Sequence, residues 1–248
     1  MSTFVGIFLY LTTLILVVGL IVRIRRYAVV PAPLKIPTTP APTTTGGVVL
    51  RMAREVVLFE SLFRANKWIW IFGWMFHAAM LLVLLRHLRY FTEPVWTWVV
   101  LIQPFGKYAA FAMAIGLAGL WLRRILVERI RYITGPSDHL MLALLAGITL
   151  TGMAMSFAVA TDIVSLKTFV LGLLRLELHP IPSDAILIVH LVLVGTLLVV
   201  FPFSKLLHAP GIFFSPTRNQ VDDPRERRHI TPWSTERLSG HRAGGAGD

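Results

Sequence analysis

Five apolar runs, each about twenty residues long, restrict the folds open to this chain. A helix needs about twenty apolar residues to cross the hydrocarbon core of a bilayer, which is about 30 Å thick. Of the 248 residues, 55% are hydrophobic and 15% are charged, and the mean hydropathy is +0.69. The pattern predicts an all-α integral membrane protein, a five-transmembrane-helix bundle. The predicted spans are residues 4–22, 67–87, 105–122, 139–160 and 184–208.

The Lys and Arg residues predict how the five spans are oriented. Alternation places the segments 23–67, 123–138 and 205–248 on one side of the membrane. These segments hold all but five of the 24 Lys and Arg residues. Because cytoplasmic loops carry an excess of these residues, we expect the N-terminus outside and the C-terminus in the cytoplasm. The basic charge therefore does not indicate nucleic acid, for which no motif is present.

The remaining segments predict a division of the chain into four parts. Residues 1–26 form the first transmembrane helix, which lacks a small-residue cleavage site and is expected to be a retained anchor. Residues 27–66 contain a Pro/Thr-rich linker (31–47), expected to be flexible or extended, and an amphipathic stretch (51–66). That stretch predicts an interfacial helix or an extension of the next helix. Residues 67–210 form a four-helix core, and residues 211–248 a disordered cytoplasmic tail.

Four histidines stand inside or at the rims of two of the apolar runs. His77 and His87 belong to the second span, and His190 and His208 to the fifth. An imidazole is costly in hydrocarbon unless it has a partner, so the two pairs are candidate axial ligands of two haems. The chain has no cysteine, which excludes iron–sulfur ligation and covalent c-type haem attachment.

Each histidine also has an ordinary interpretation. A single intramembrane histidine often hydrogen-bonds a neighbouring helix, and His87 and His208 are placed where an interfacial residue would be. His139 follows Ser137 and Asp138, either of which is a candidate N-cap, and is interpreted as a boundary residue. His179 lies in an outer loop and is interpreted as structural.

The topology decides which histidines can pair. The second helix runs outward and the fifth returns, so His77 and His208 are the inner pair and His87 and His190 the outer pair. The spacings of ten and eighteen residues correspond to about 15 and 27 Å, so one helix must tilt or bend, and Pro202 is a candidate for the bend. Eighteen residues is about five turns, which predicts one helix face for His190 and His208.

Glycines within the spans predict places where a macrocycle or a neighbouring helix approaches the backbone closely. Close helix packing alone explains them equally well. They are Gly73, Gly116, Gly119, Gly147, Gly152 and Gly195.

The stretch 190–208 (HLVLVGTLLVVFPFSKLLH) resembles the fifth helix of the gamma subunit of respiratory nitrate reductase, a dihaem cytochrome b. His77 and His87 are ten residues apart, as that family's first two ligands are. The resemblance covers residues 4–210. Within this group, EVVLFESLFRANKWIWIFGWMFH, LLRHLRYF, RIRYITGPSDHLML and the Pro/Thr linker are more similar to DsrM, the membrane cytochrome of the sulfite-metabolism complex DsrMKJOP.

The resemblance implies a set of cofactor-binding residues. His77 and His208 would ligate the iron of an inner haem b, and His87 and His190 that of an outer haem b. Menaquinone or ubiquinone would exchange electrons near the outer haem, where Lys107 matches a lysine of the family's quinol site. The other interpretation of Lys107 is an ordinary interfacial lysine whose side chain snorkels to the membrane surface. Arg86 replaces a glycine of the nitrate enzyme, so the pocket shape is not transferable, and Arg86 is a second quinone-binding candidate.

The resemblance also implies an activity and partners. The chain would pass electrons between the quinone pool and a cytoplasmic iron–sulfur subunit (DsrK-like), with other complex subunits, in the cytoplasmic (inner) membrane of a prokaryote. It would be an electron-transfer subunit of an oxidoreductase complex. The alternatives are a nitrate reductase gamma subunit that oxidises quinol, an independent dihaem reductase, and a haem-free membrane anchor or small transporter.

Overall fold

The computed structural model describes residues 1–30, 37 and 39–223, and the regular structure within these residues is entirely helical. The first six helices are α1 (Ser2–Val29), α2 (Thr45–Leu58), α3 (Glu60–Ala65), α4 (Lys67–His87), α5 (Thr97–Leu126) and α6 (Glu128–Tyr132). The others are α7 (Pro136–Phe157), α8 (Ile163–Leu174), α9 (Ala185–Val200), α10 (His208–Gly211) and α11 (Pro216–Asn219).

Five helices are long and apolar enough to cross a membrane, which confirms the predicted five-span architecture. They cover Ser2–Val29, Lys67–Tyr90, Thr97–Leu126, Pro136–Phe157 and Ala185–Phe203. At most 22% of the most apolar window of each is buried within the protein, so most residues of these windows keep some exposed surface, as expected of helices in contact with lipid. The chain is a multi-pass membrane protein. The orientation of its termini stays a prediction.

The fifth helix is shorter than expected. It ends at Val200 and is followed by the 3₁₀ turns Phe201–Phe203 and Lys205–Leu207, and His208 begins the separate helix α10. Pro202 has no N–H to donate and its ring crowds the preceding turn, which weakens a regular helix at this point; helix α5 nevertheless continues through Pro104, so proline alone does not end α9. Because α9 ends at Val200, the prediction of one continuous helix to His208, with both histidines on one face, is wrong.

The start of α7 also differs from the prediction. Its N-cap is Gly135, not Ser137 or Asp138, and Pro136 occupies the first helical position. Proline is favoured there because its fixed φ suits a helix and its missing N–H costs nothing. Asp138 reaches back and accepts a hydrogen bond from the Gly135 N–H at 3.1 Å.

Helix α8 was not predicted from the sequence. Asp162 caps it by accepting hydrogen bonds from the N–H groups of Val164 and Ser165, and hydrogen bonding by Ser165 holds the pKa of Asp162 below its usual value. With twelve residues the helix is too short to cross a bilayer. The signal that could have revealed it is an Asp N-cap before an apolar run.

One compact unit comprises Met1–Leu20 and Phe59–Lys205. Its first buried cluster joins α4, α5 and α7, and its second joins α1, α8, α9 and the loop before α9. The first contains Phe76, Ala79, Ala109, Met113, Leu117 and Leu145. The second contains Val5, Leu166, Phe169, Ile181 and Leu187.

Helices α4 and α5 approach each other closely at two glycines of α5. A Cβ at Gly116 would lie 2.9 Å from the Phe76 backbone nitrogen, and one at Gly106 would lie 2.7 Å from the Arg86 Cβ. Phe76 and Arg86 each directly precede a candidate ligand of α4. The glycines therefore set the separation of the two helices beside His77 and beside His87.

A buried carboxylate joins three segments of this unit at the start of α7. Asp138 is 7% exposed and accepts two hydrogen bonds from the Lys205 ammonium, at 2.7 and 2.9 Å. The Arg124 guanidinium of α5 lies 3.8 Å from the same carboxylate. The ion pairs connect α5, the start of α7 and the segment that follows α9.

The second unit comprises Ile21–Leu58 and Leu206–Asp248. Within it Arg218 of α11 donates to the buried Glu55 of α2 at 2.9 Å, and the rings of Tyr27 and Phe214 lie 5.8 Å apart. The predicted disorder of the tail is therefore wrong for residues 211–223. Residues 31–36 and 38 of the linker and residues 224–248 of the tail lie outside the described residues.

The amphipathic stretch 51–66 is not one helix. Phe59 has a left-handed backbone (φ 52°) that separates α2 from α3, and the extended Asn66 caps α4 through a hydrogen bond from the Ile69 N–H at 3.1 Å. The break at Phe59 corrects the prediction of a single interfacial helix, and the break at Asn66 corrects the prediction of an extension of α4.

Candidate functional site

The histidines of α4 have the same local geometry. The Nδ1 of His77 lies 2.7 Å from the Gly73 carbonyl oxygen, and the Nδ1 of His87 lies 2.6 Å from that of Val83. A carbonyl oxygen can only accept, so Nδ1 carries the proton in both rings. In a neutral imidazole the lone pair is then on Nε2, the arrangement that second-shell hydrogen bonds impose on metal-binding histidines.

His190 of α9 reaches the same state through a different helix. Its Nδ1 lies 2.8 Å from the Thr151 hydroxyl of α7. That hydroxyl also lies within hydrogen-bond distance of two carbonyl oxygens of its own helix, at 2.7 Å for Gly147 and 3.1 Å for Ile148. The arrangement in which the hydroxyl donates to a carbonyl oxygen and accepts from His190 Nδ1 leaves the lone pair on Nε2, as in His77 and His87.

His87 and His190 lie at the same end of the first unit, which we call the outer end after its predicted orientation. Arg86, the residue before His87, donates to Ser156 of α7 at 3.3 Å, a little over one turn beyond Thr151, which contacts His190. The His190 ring also packs beside Gly152, the residue after Thr151: a Cβ there would lie 3.4 Å from His190 Cε1, an ordinary van der Waals contact. The structure thus brings together the two histidines of the predicted outer pair.

His139 has the opposite arrangement. Trp121 donates its indole N–H to His139 Nδ1 at 3.0 Å, so in a neutral ring the proton is on Nε2. This agrees with its interpretation as a structural residue. His179, in the loop before α9, lies 3.3 Å from the Glu177 carboxylate through its Nε2.

The two quinone-binding candidates lie near each other along the end of α7. The Lys107 ammonium lies 4.8 Å from the centre of the Phe157 ring, a cation–π contact. Arg86 donates to Ser156 at 3.3 Å, and its Nε donates to the Gln103 side chain at 3.3 Å.

A profile of the nitrate reductase gamma subunit matches residues 44–222, most of the chain. The chain belongs to the nitrate reductase gamma subunit family. Two curated relatives are named Hdr-like menaquinol oxidoreductase cytochrome b-like subunit. The protein from Archaeoglobus fulgidus is 35% identical, with 90% of this chain and 81% of the relative covered. The protein from Archaeoglobus profundus is 32% identical, with 90% and 80% covered.

The described residues contain no group of three or more His, Asp or Glu side chains that could hold a bare metal ion. His77 and His208 belong to different units, each of which is described by itself, so their pairing stays a prediction.

Sequence reasoning missed the residues that position the candidate ligands of this family member. Thr151, Gln103 and Ser156 are ordinary polar residues in apolar helices, and no local pattern connects them to a histidine or an arginine. The available signal was weak: a hydroxyl or amide within a membrane span needs a partner, and a neighbouring helix can supply it.

Proposed function

We propose that this chain is the membrane cytochrome b subunit of a menaquinol-linked oxidoreductase and holds two haem b groups. His87 and His190 are the ligands of the outer haem, and His77 and His208 those of the inner haem. The observation that carries the proposal is that the Nδ1 atoms of His77, His87 and His190 are each engaged in a hydrogen bond, with a backbone carbonyl oxygen or with the Thr151 hydroxyl, so that Nε2 is the nitrogen assigned to the iron. The family and the names of the two relatives support it.

The donor set fits haem. A haem iron would need two ligands from the protein, and the outer end would supply two imidazoles, one from α4 and one from α9. When bound, haem supplies reversible one-electron transfer. The chain orients the imidazoles through the Val83 carbonyl and the Thr151 hydroxyl and surrounds them with apolar helices that limit the access of water.

Lys107 and Arg86 are the proposed quinone-binding residues. Both are half-buried cations at the outer end, and both contact the last two residues of α7. A cation there would donate a hydrogen bond to a quinone oxygen and stabilise the negative charge that develops on it. Menaquinone is favoured over ubiquinone because the two relatives are named as menaquinol oxidoreductase subunits.

The partner is proposed to be a cytoplasmic iron–sulfur subunit like DsrK, in a complex of sulfur metabolism. The basic segments predicted to be cytoplasmic would form its docking face. A nitrate reductase catalytic subunit is the alternative partner. Purification of the tagged chain from its own membranes, followed by mass spectrometry, distinguishes the two partners.

The cofactor proposal is tested by the reduced-minus-oxidised spectrum of the purified chain. We expect a b-type α band, haem at about twice the molar amount of protein, and reduction by a menaquinol analogue. A protein without this band would contradict the proposal and favour the haem-free anchor or transporter.

Thr151→Val is expected to raise the midpoint potential of the outer haem. Without the hydroxyl, the His190 Nδ1–H loses the Thr151 oxygen as an acceptor and the imidazole becomes a weaker donor to ferric iron. A hydrogen bond contributes about 1 kcal/mol, which corresponds to a change on the order of tens of mV for one electron.

Redox titration at the α band measures this shift. Thr151→Ser keeps the hydroxyl and should restore the potential. Thr196→Val is the matched control, because the Thr196 hydroxyl bonds only the Val192 carbonyl of its own helix. Equal potentials in Thr151→Val and Thr151→Ser would contradict this role.

A further inference from the structure

Two arginines at the outer end share one neutral acceptor. Arg86 and Arg89 both donate to the Gln103 side-chain oxygen, at 3.3 and 3.2 Å. The amide group of Gln103 donates to the carbonyl oxygens of Arg86 and Val99, both at 3.2 Å. These two bonds fix the amide so that its oxygen faces the guanidinium groups.

Neither guanidinium has a carboxylate partner within the described part of the chain. Each acidic residue of the neighbouring outer loops is engaged elsewhere: Glu93 pairs with Lys167 and Glu177 with His179. Asp162 and Asp184 are the N-caps of α8 and α9. Hydrogen bonding by Thr161 also holds the pKa of Asp184 below its usual value.

Two adjacent positive charges in a membrane-length segment are costly without an anion. Each guanidinium has five N–H donors in a planar fork, a geometry that suits a carboxylate. Only a few of these donors are used by Gln103 and Ser156. The cluster is therefore a positively charged site with spare donors and no described anion.

The position of the cluster identifies the anion. Arg86 and Arg89 flank His87 in the chain. Ser156, which accepts from Arg86, is on the same helix as Thr151, which positions His190. A group ligated by His87 and His190 would thus have its edge within reach of these arginines, and the anions at the edge of a haem are its two propionates.

We propose that Arg86, Arg89, Gln103 and Ser156 form a carboxylate site that binds a propionate of the outer haem. The inference rests on the proposed function and adds the residues that anchor the cofactor edge. Gln103 holds the two guanidinium groups next to each other, because both donate to its side-chain oxygen, and the hydrogen bond to Ser156 orients the Arg86 guanidinium. The spare donors of Arg86 also allow it to contact a quinone beside Lys107.

The test compares protohaem with its dimethyl ester, which has no propionate charge. Full-length protein produced without haem is titrated with each form. We expect wild type to bind protohaem about tenfold more tightly than the ester, as charge-assisted hydrogen bonds would give. In Arg86→Met the two forms should bind almost equally at the outer site. Arg175→Met is the control, because it removes one exposed charge of the same loops and should keep the discrimination.

A second measurement covers the case in which a variant assembles poorly without haem. Holoprotein carrying haem labelled with ¹³C at the propionate carboxyl groups is examined by redox-difference infrared spectroscopy. The labelled carboxylate band should shift in Arg89→Met and Gln103→Leu and stay in place in Arg175→Met.

Two outcomes would overturn the inference. One is an equal preference of wild type and Arg86→Met for protohaem over its dimethyl ester, together with an unshifted infrared band of the labelled propionate in Arg89→Met and Gln103→Leu. The other is unchanged discrimination with a loss of binding to phosphatidylglycerol vesicles, which would assign the cluster to a lipid phosphate. A protein that binds no haem at all would instead refute the proposed function.

Discussion

His190→Ala is expected to remove the outer haem and leave the inner one, so that bound haem falls by about half. His77→Ala should remove the inner haem and leave the outer one. Each substitution deletes one axial imidazole, and an apolar helix surface offers no substitute ligand. Redox titration of the α band should show two components in wild type and a different single component in each variant.

His87→Ala, compared with His190→Ala, tests whether the two histidines ligate the same haem. Because His190 contacts Thr151 and the neighbour of His87, Arg86, donates to Ser156 of the same helix end, both variants should lose the same component. His179→Ala removes a histidine of the outer loop and should keep both haems. Loss of different components in His87→Ala and His190→Ala would show that the proposed pairing is wrong.

Gly116→Ala is expected to destabilise the protein, which is the reverse of the usual effect of this substitution in a helix. The new Cβ would lie 2.9 Å from the Phe76 nitrogen and 3.0 Å from the Phe72 oxygen. Both are backbone atoms, so α4 and α5 must move apart. Overpacking of this kind costs about 1–3 kcal/mol, and about 2–4 °C of Tm is lost per kcal/mol in a chain of this size.

Gly46→Ala is the matched control for this prediction. A Cβ at Gly46, in the first turn of α2, would meet nothing within 4 Å, so the substitution should be neutral or stabilising by up to about 1 kcal/mol. Thermal unfolding in detergent, followed by circular dichroism and by haem release, measures both variants. A Gly116→Ala protein as stable as wild type would show that the helices tolerate a wider separation.

The break in the fifth helix shows where sequence reasoning was incomplete. Pro202 was recognised as a possible bend, but a bend keeps a helix continuous and the structure replaces it with two 3₁₀ turns. A proline removes one hydrogen bond, and the surrounding contacts decide whether the helix kinks or ends. In this chain the ion pair of Lys205 with Asp138 holds the segment after α9 against the start of α7.

The five membrane spans, and the histidines as their unusual polar residues, were predictable from the amino-acid sequence. Both conclusions depend on the transfer of side chains into hydrocarbon, which is a property of each residue and its near neighbours. The hydrogen-bond partner of His190 and the side chains around Arg86 and Arg89 were not predictable in this way. Those properties depend on Thr151, Gln103 and Ser156, which come from neighbouring helices and become partners only when the helices assemble.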